Sequence, residues 1–125
     1  MEERSAVVVV DNHPEIRDVL SGVLEALSFQ TYAADGYRQA LEHLGKPGVR
    51  AVITDVEMHP ETGFDLLATC RRQHPDIAVV MVSSYANADM RKKALLGGAV
   101  DFLAKPFTME ALNNALEKCI PPVAV

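Results

Sequence analysis

Short runs of apolar residues alternate along the chain with stretches in which apolar positions recur every three or four residues. Residues 6–10, 30–34, 51–54, 77–82 and 100–103 therefore read as β-strands. The first, third and fourth are almost unbroken Val, Ile, Ala and Met, the composition of central parallel strands covered by helices on both faces. Gln30 and Thr31 make the second strand more polar, which suits a sheet edge. Helical periodicity fills 14–27, 37–44, 64–73, 88–96 and 108–118. In the first of these Pro14 stands in the opening turn, and Ile16, Val19, Leu20, Val23, Leu24 and Leu27 fall on one stripe. Gly45, Pro75, Gly97-Gly98 and Pro121-Pro122 end the other four, and Thr108 is suited to cap the last.

Five strict βα alternations predict right-handed crossovers and a doubly wound α/β sandwich, with ligands bound beyond the carboxyl ends of the strands. The 125 residues, 49% of them hydrophobic, suit one domain with one core. That domain is expected to span 1–120, leaving PPVAV (121–125) as a tail or the start of a linker.

The residues that follow the strands carry the chemistry: Asp11-Asn12, Asp35-Gly36, Asp55-Val56-Glu57, Ser83-Ser84 and Ala104-Lys105-Pro106. If the first, third, fourth and fifth strands are neighbours, one rim collects Asp11, Asn12, Asp55, Glu57, Ser83 and Lys105. Carboxylates gathered in this way repel one another and call for a cation, and oxygen ligation with open positions suits Mg²⁺. A carboxylate nucleophile, a divalent ion, a hydroxyl and a lysine are also the parts needed to move a phosphoryl group.

Charge and cysteine content narrow the alternatives. Seventeen acids against twelve Lys and Arg give a formal charge of −5, which argues against direct nucleic-acid contact by this domain. No apolar run approaches the roughly 20 residues that span a bilayer. The opening MEERS has neither the basic nor the apolar segment of a signal peptide, so a cytoplasmic protein without membrane contact is expected. The two cysteines, Cys70 and Cys119, form no CxxC pair and are expected to be reduced and packed on the apolar sides of helices.

Four segments, VVVVDN, VITDVEM with Gly63 eight residues past Asp55, VMVSSYA and GAVDFLAKPF, occur in the order and near the spacing found in receiver domains of two-component response regulators. The chain resembles that family over nearly its whole length. The resemblance implies a flavodoxin-like (βα)5 sandwich with a parallel sheet of order 2-1-3-4-5. It implies that Asp55 accepts a phosphoryl group from a sensor histidine kinase or a phosphotransfer protein. Mg²⁺ would be held by Asp11, Asp55 and the backbone carbonyl of Glu57, with Asn12 a further candidate ligand. Ser83 matches the hydroxyl that moves to the phosphoryl group, Lys105 the lysine that contacts it, and Phe102 the aromatic switch residue; the Lys105–Pro106 bond is cis in the family. The surface from the fourth helix through the fifth, roughly 88–118, would meet an output domain, a partner protein or a second copy. Such a domain catalyses its own phosphorylation and dephosphorylation and is not a metabolic enzyme.

The chain also departs from the family pattern. Asn12 replaces the second of two adjacent acids, His59 stands where a proline is common, and Phe102 lacks the hydroxyl of a tyrosine. Glu57 is expected either to restore the missing charge or to influence the hydrolytic water, and Tyr85 to lie over the mouth of the site as a second gate. Asn12 and His59 favour an alternative, a pseudo-receiver that binds partners without phosphorylation. A small phosphohydrolase is a further alternative, disfavoured by the short chain. Locally, Asp35 reads as a turn former and Ser83 has a second reading as a helix cap. His13 and His59, beside Asp11 and Glu57, have a second reading as transition-metal ligands.

Overall fold

The computed structural model describes residues 4–120, and the PPVAV segment lies outside them. In chain order the elements are β1 (Ala6–Val10), α1 (Pro14–Ala26), β2 (Gln30–Ala34), α2 (Tyr37–Leu44), β3 (Val49–Asp55), α3 (Gly63–Gln73), β4 (Ala78–Ser83), α4 (Ala88–Leu96), β5 (Asp101–Ala104) and α5 (Met109–Cys119). All four strand pairings are parallel, and the sheet order is β2-β1-β3-β4-β5. This is the flavodoxin-like (βα)5 arrangement that the sequence implied.

Alternate residues of the central strands feed two separate cores, as the two-residue period of a strand requires. Val8, Val10, Val52, Val79 and Met81 pack with α2, α3 and α4 on one face. Val7, Val9, Ala51, Ile53, Val80 and Val82 pack with α1 and α5 on the other. Cys70 is buried in the first core and Cys119 lies at the margin of the second; both are free thiols, pushed up to about 11 chiefly by burial.

Several predicted details shift. β3 starts at Val49 and reaches Asp55, so the carboxylate belongs to the last paired residue of the strand and not to the loop after it. The stripe of α1 is only partly covered: Leu20 and Leu24 are buried, whereas Val19 is 68% exposed and Ile16 and Leu27 are also open. The outer part of the stripe borders an open apolar groove of about 560 Å³ between α1 and α5, lined also by Phe107, Met109 and Leu112. Ser83 does not cap the next helix, because Asn87 does so by accepting the Met90 N–H at 2.8 Å. Thr108 caps α5 as expected, accepting the Ala111 N–H at 3.0 Å.

Candidate functional site

Sheet register assembles the site. Val10 pairs with Thr54, which sets Asp11 beside Asp55. Asp55 pairs with Val82, and Ser83 with Ala104, which sets Lys105 next to the end of β4. Backbone bonds continue these pairings past the strands, from Val56 N–H to Val82 O at 2.9 Å and from Lys105 N–H to Ser83 O at 2.9 Å. Residues 94 positions apart thereby meet: Lys105 Nζ donates to Asp11 Oδ2 at 2.7 Å and stands 3.4 Å from Asp55 Oδ1.

The loop after β3 is folded tightly against its own strand. Gly63 N–H donates to Val56 O at 2.9 Å, and a Cβ on Gly63 would stand 2.4 Å from the Asp55 carbonyl oxygen. No side chain fits there, so glycine is required by close backbone approach. Both His59–Pro60 and Lys105–Pro106 are cis.

The two aspartates differ in environment although both are buried. Burial alone pushes the Asp11 carboxyl up. The Lys105 ammonium, the His13 backbone N–H (2.9 Å to Oδ1) and the His13 ring outweigh that and hold it below the usual carboxylate value. Asp55 is raised, first by burial and then by the negative charges of Asp11 and Glu57, with Lys105 opposing. Lys105 itself is held above its usual value, because its pairing with both acids outweighs burial. Asp55 Oδ1 is buried without a hydrogen-bond partner, and its relation to Lys105 is one of charge attraction across the 3.4 Å gap.

These features fit a divalent cation. Among the described residues, Asp11, His13 and Asp55 form a group whose candidate ligand atoms lie within 4.8 Å of one another. Two buried carboxylates, one with an unsatisfied oxygen, suit a hard ion such as Mg²⁺. His59, the other histidine considered beside the acids, is exposed and outside that group.

The receiver-domain model of response regulators matches residues 7–117. This chain belongs to the receiver-domain family. Among its relatives is the response regulator protein PilR of Pseudomonas aeruginosa, 31% identical over 111 residues that make up 89% of this chain and 25% of PilR. The two-component response regulator ORR5 of rice is 38% identical over 80% of this chain and 77% of its own length. The chain spans about a quarter of the length of the first curated relatives it matches. A receiver protein structure from Pseudomonas putida superposes with a TM-score of 0.86 at 29% identity, covering 94% of this chain and 99% of that one.

Within this receiver domain the remaining predicted residues are placed as follows. Ser83 is fully buried at the rim, and its hydroxyl donates to the Glu57 carboxylate, 2.9 and 2.8 Å from the two oxygens. Asn12 is exposed in the bend after β1. Phe102 lies inside the core shared by α2, α3 and α4, and its carbonyl accepts a bond from Arg91 at 2.8 Å. The Tyr85 side chain is 72% exposed; what ties that residue to the site is its backbone N–H, donating to Ser83 Oγ at 2.9 Å.

Two contacts were not legible in the sequence. Arg17 donates to the Asp11 carbonyl at 2.7 Å, bracing the first loop from α1, and an arginine on a polar helix face gives no sign of this. The Glu57–Ser83 pairing joins two loops and depends on side-chain direction, which the sequence pattern does not fix.

Proposed function

We propose that this receiver domain is a phosphorylation-dependent switch in which Asp55 takes a phosphoryl group from the phosphohistidine of a sensor kinase or phosphotransfer protein. An oxygen of Asp55 attacks phosphorus as the P–N bond breaks, and the imidazole nitrogen leaves with the bonding pair. The observation that carries the reading is the buried Asp55 carboxylate with an oxygen free of hydrogen bonds, facing Asp11 and Lys105. Asp11, Asp55 and the Glu57 carbonyl would hold Mg²⁺, which supplies charge neutralisation to the transferred group. Lys105 keeps the two carboxylates tolerable in one pocket and offers its ammonium to the incoming oxygens. Ser83 is the buried hydroxyl at hand for the new acceptor.

The acyl phosphate carries about −1.5 to −2 charges in place of the single carboxylate charge of Asp55, a net gain of up to about one negative charge, and it moves that charge outward onto the phosphoryl oxygens. In this reading that charge draws on Ser83 and Lys105 and is passed to the surface of α4, β5 and α5, where an output domain or partner docks. The domain works in the cytoplasm and turns over only its own phosphoryl group.

Beryllofluoride with Mg²⁺ tests the reading. One equivalent should bind the wild-type chain and shift the resonances of the loops after β3, β4 and β5, and Asp55→Asn should abolish the response. A wild-type chain that ignores the mimic would overturn it.

A further inference from the structure

Glu57 stands two residues past Asp55, and its carboxylate is engaged by the loop after β4. Its oxygens accept the Ser83 hydroxyl at 2.9 and 2.8 Å, and Oε1 also accepts the Ser84 backbone N–H at 3.3 Å. The arrangement is braced from both sides. Val56 and Met58, the neighbours of Glu57, are buried, and the Val56 N–H is bonded to the end of β4. On the other side Ser83 Oγ accepts the Tyr85 N–H at 2.9 Å, which leaves the single hydroxyl proton directed at Glu57.

A serine hydroxyl has one proton to give. It cannot serve Glu57 and a phosphoryl oxygen on Asp55 at the same time. Both are anionic oxygen acceptors, and the bonds they accept are of the strong charge-assisted kind. We propose that Glu57 is a positioning residue that acts through Ser83: its carboxylate is a built-in competitor that keeps the hydroxyl and the Ser84 N–H occupied until a phosphoryl group on Asp55 displaces it. Glu57 thus sets how readily the loop after β4 changes partners. This inference rests on the switch reading given above.

The test is a double-mutant cycle on beryllofluoride affinity at saturating Mg²⁺, with Glu57→Ala and Glu57→Gln each made in the wild-type and Ser83→Ala backgrounds. Glu57→Ala should bind the mimic roughly tenfold more tightly than wild type, the scale of one charge-assisted hydrogen bond released from competition. Glu57→Gln keeps an acceptor without the charge and should fall between the two. In the Ser83→Ala background the gain should shrink to less than about twofold, because the group that Glu57 restrains is gone. Before any mimic is added, the Ser84 and Tyr85 amide resonances should already move in Glu57→Ala. Equal affinity of wild type and both Glu57 variants would overturn the competitor and leave the switch reading standing. So would a gain of the same size in the Ser83→Ala background, which would mean simple charge repulsion. If no variant and no wild-type chain takes up the mimic, both fall together.

Discussion

Lys105 and Asp55 are placed where charge costs most and matters most. Ionised Asp55 is disfavoured by burial and by two neighbouring acids, so Asp55→Asn should stabilise the fold at pH 7, on the order of 1 kcal/mol, as substitutions that relieve functional sites often do. The sign follows from a raised carboxyl: the cost of the charge appears as pH climbs through the folded-state value. The gain in Tm should therefore fade as pH drops towards the ordinary value of 3.8. Lys105→Met should act in the opposite direction, losing about 2–3 kcal/mol at pH 7 because two acids are left without their cation. Asp11 is held low, so its share of that loss disappears in acid as it protonates; Lys105 is held high, so the wild-type advantage also disappears as pH rises beyond 10.5. Urea unfolding of wild type and variant at several pH values measures both limits. At this scale the sequence reveals which residue types gather at the strand ends, because strand order and register alone bring Asp11, Asp55 and Lys105 together. It does not reveal that the Asp55 oxygen lacks a hydrogen bond or that the Glu57 side chain turns to Ser83, since both depend on rotamers within loops.

Among the elements, the start of α3 is the least tolerant of change. Thr62 and Asp65 form a reciprocal cap there, and Gly63 presses against the backbone of Asp55 and Val56. Gly63→Ala must push the loop away from β3. A loss of about 2 kcal/mol or more in denaturant stability is expected, of the size seen when a well-packed site is overfilled, together with weakened uptake of beryllofluoride. Unchanged stability and uptake would show that the loop yields freely. Periodicity located all ten elements because buried strands and amphipathic helices leave different repeats. In α1 it places the helix but not its burial: of the six apolar residues on the stripe, Leu20 and Leu24 are buried while Val19 is open. A helix packed beside a groove keeps its outer apolar residues in the open, and nothing in its own sequence distinguishes Leu24 from Val19.

On the scale of the whole molecule, the doubly wound topology sends every loop after a strand to one rim, and the chemistry of the chain is concentrated there. Clusters of opposite charge recur away from the rim as well: Asp101 is tied to Lys118 at 3.0 Å and to Arg91 at 3.8 Å, joining α4, β5 and α5. The central position of β1 reaches further than its packing. Val7, Val8 and Val9 are wholly enclosed, with partners on both sides, so isotope exchange at their amides should require global opening. The Ser84 and Tyr85 amides, which hang on single side-chain acceptors in an exposed loop, should exchange orders of magnitude sooner. Asp11 is therefore mounted on the slowest-opening part of the protein and Ser83 at the border of a fast one, so the pocket has an anvil and a hammer.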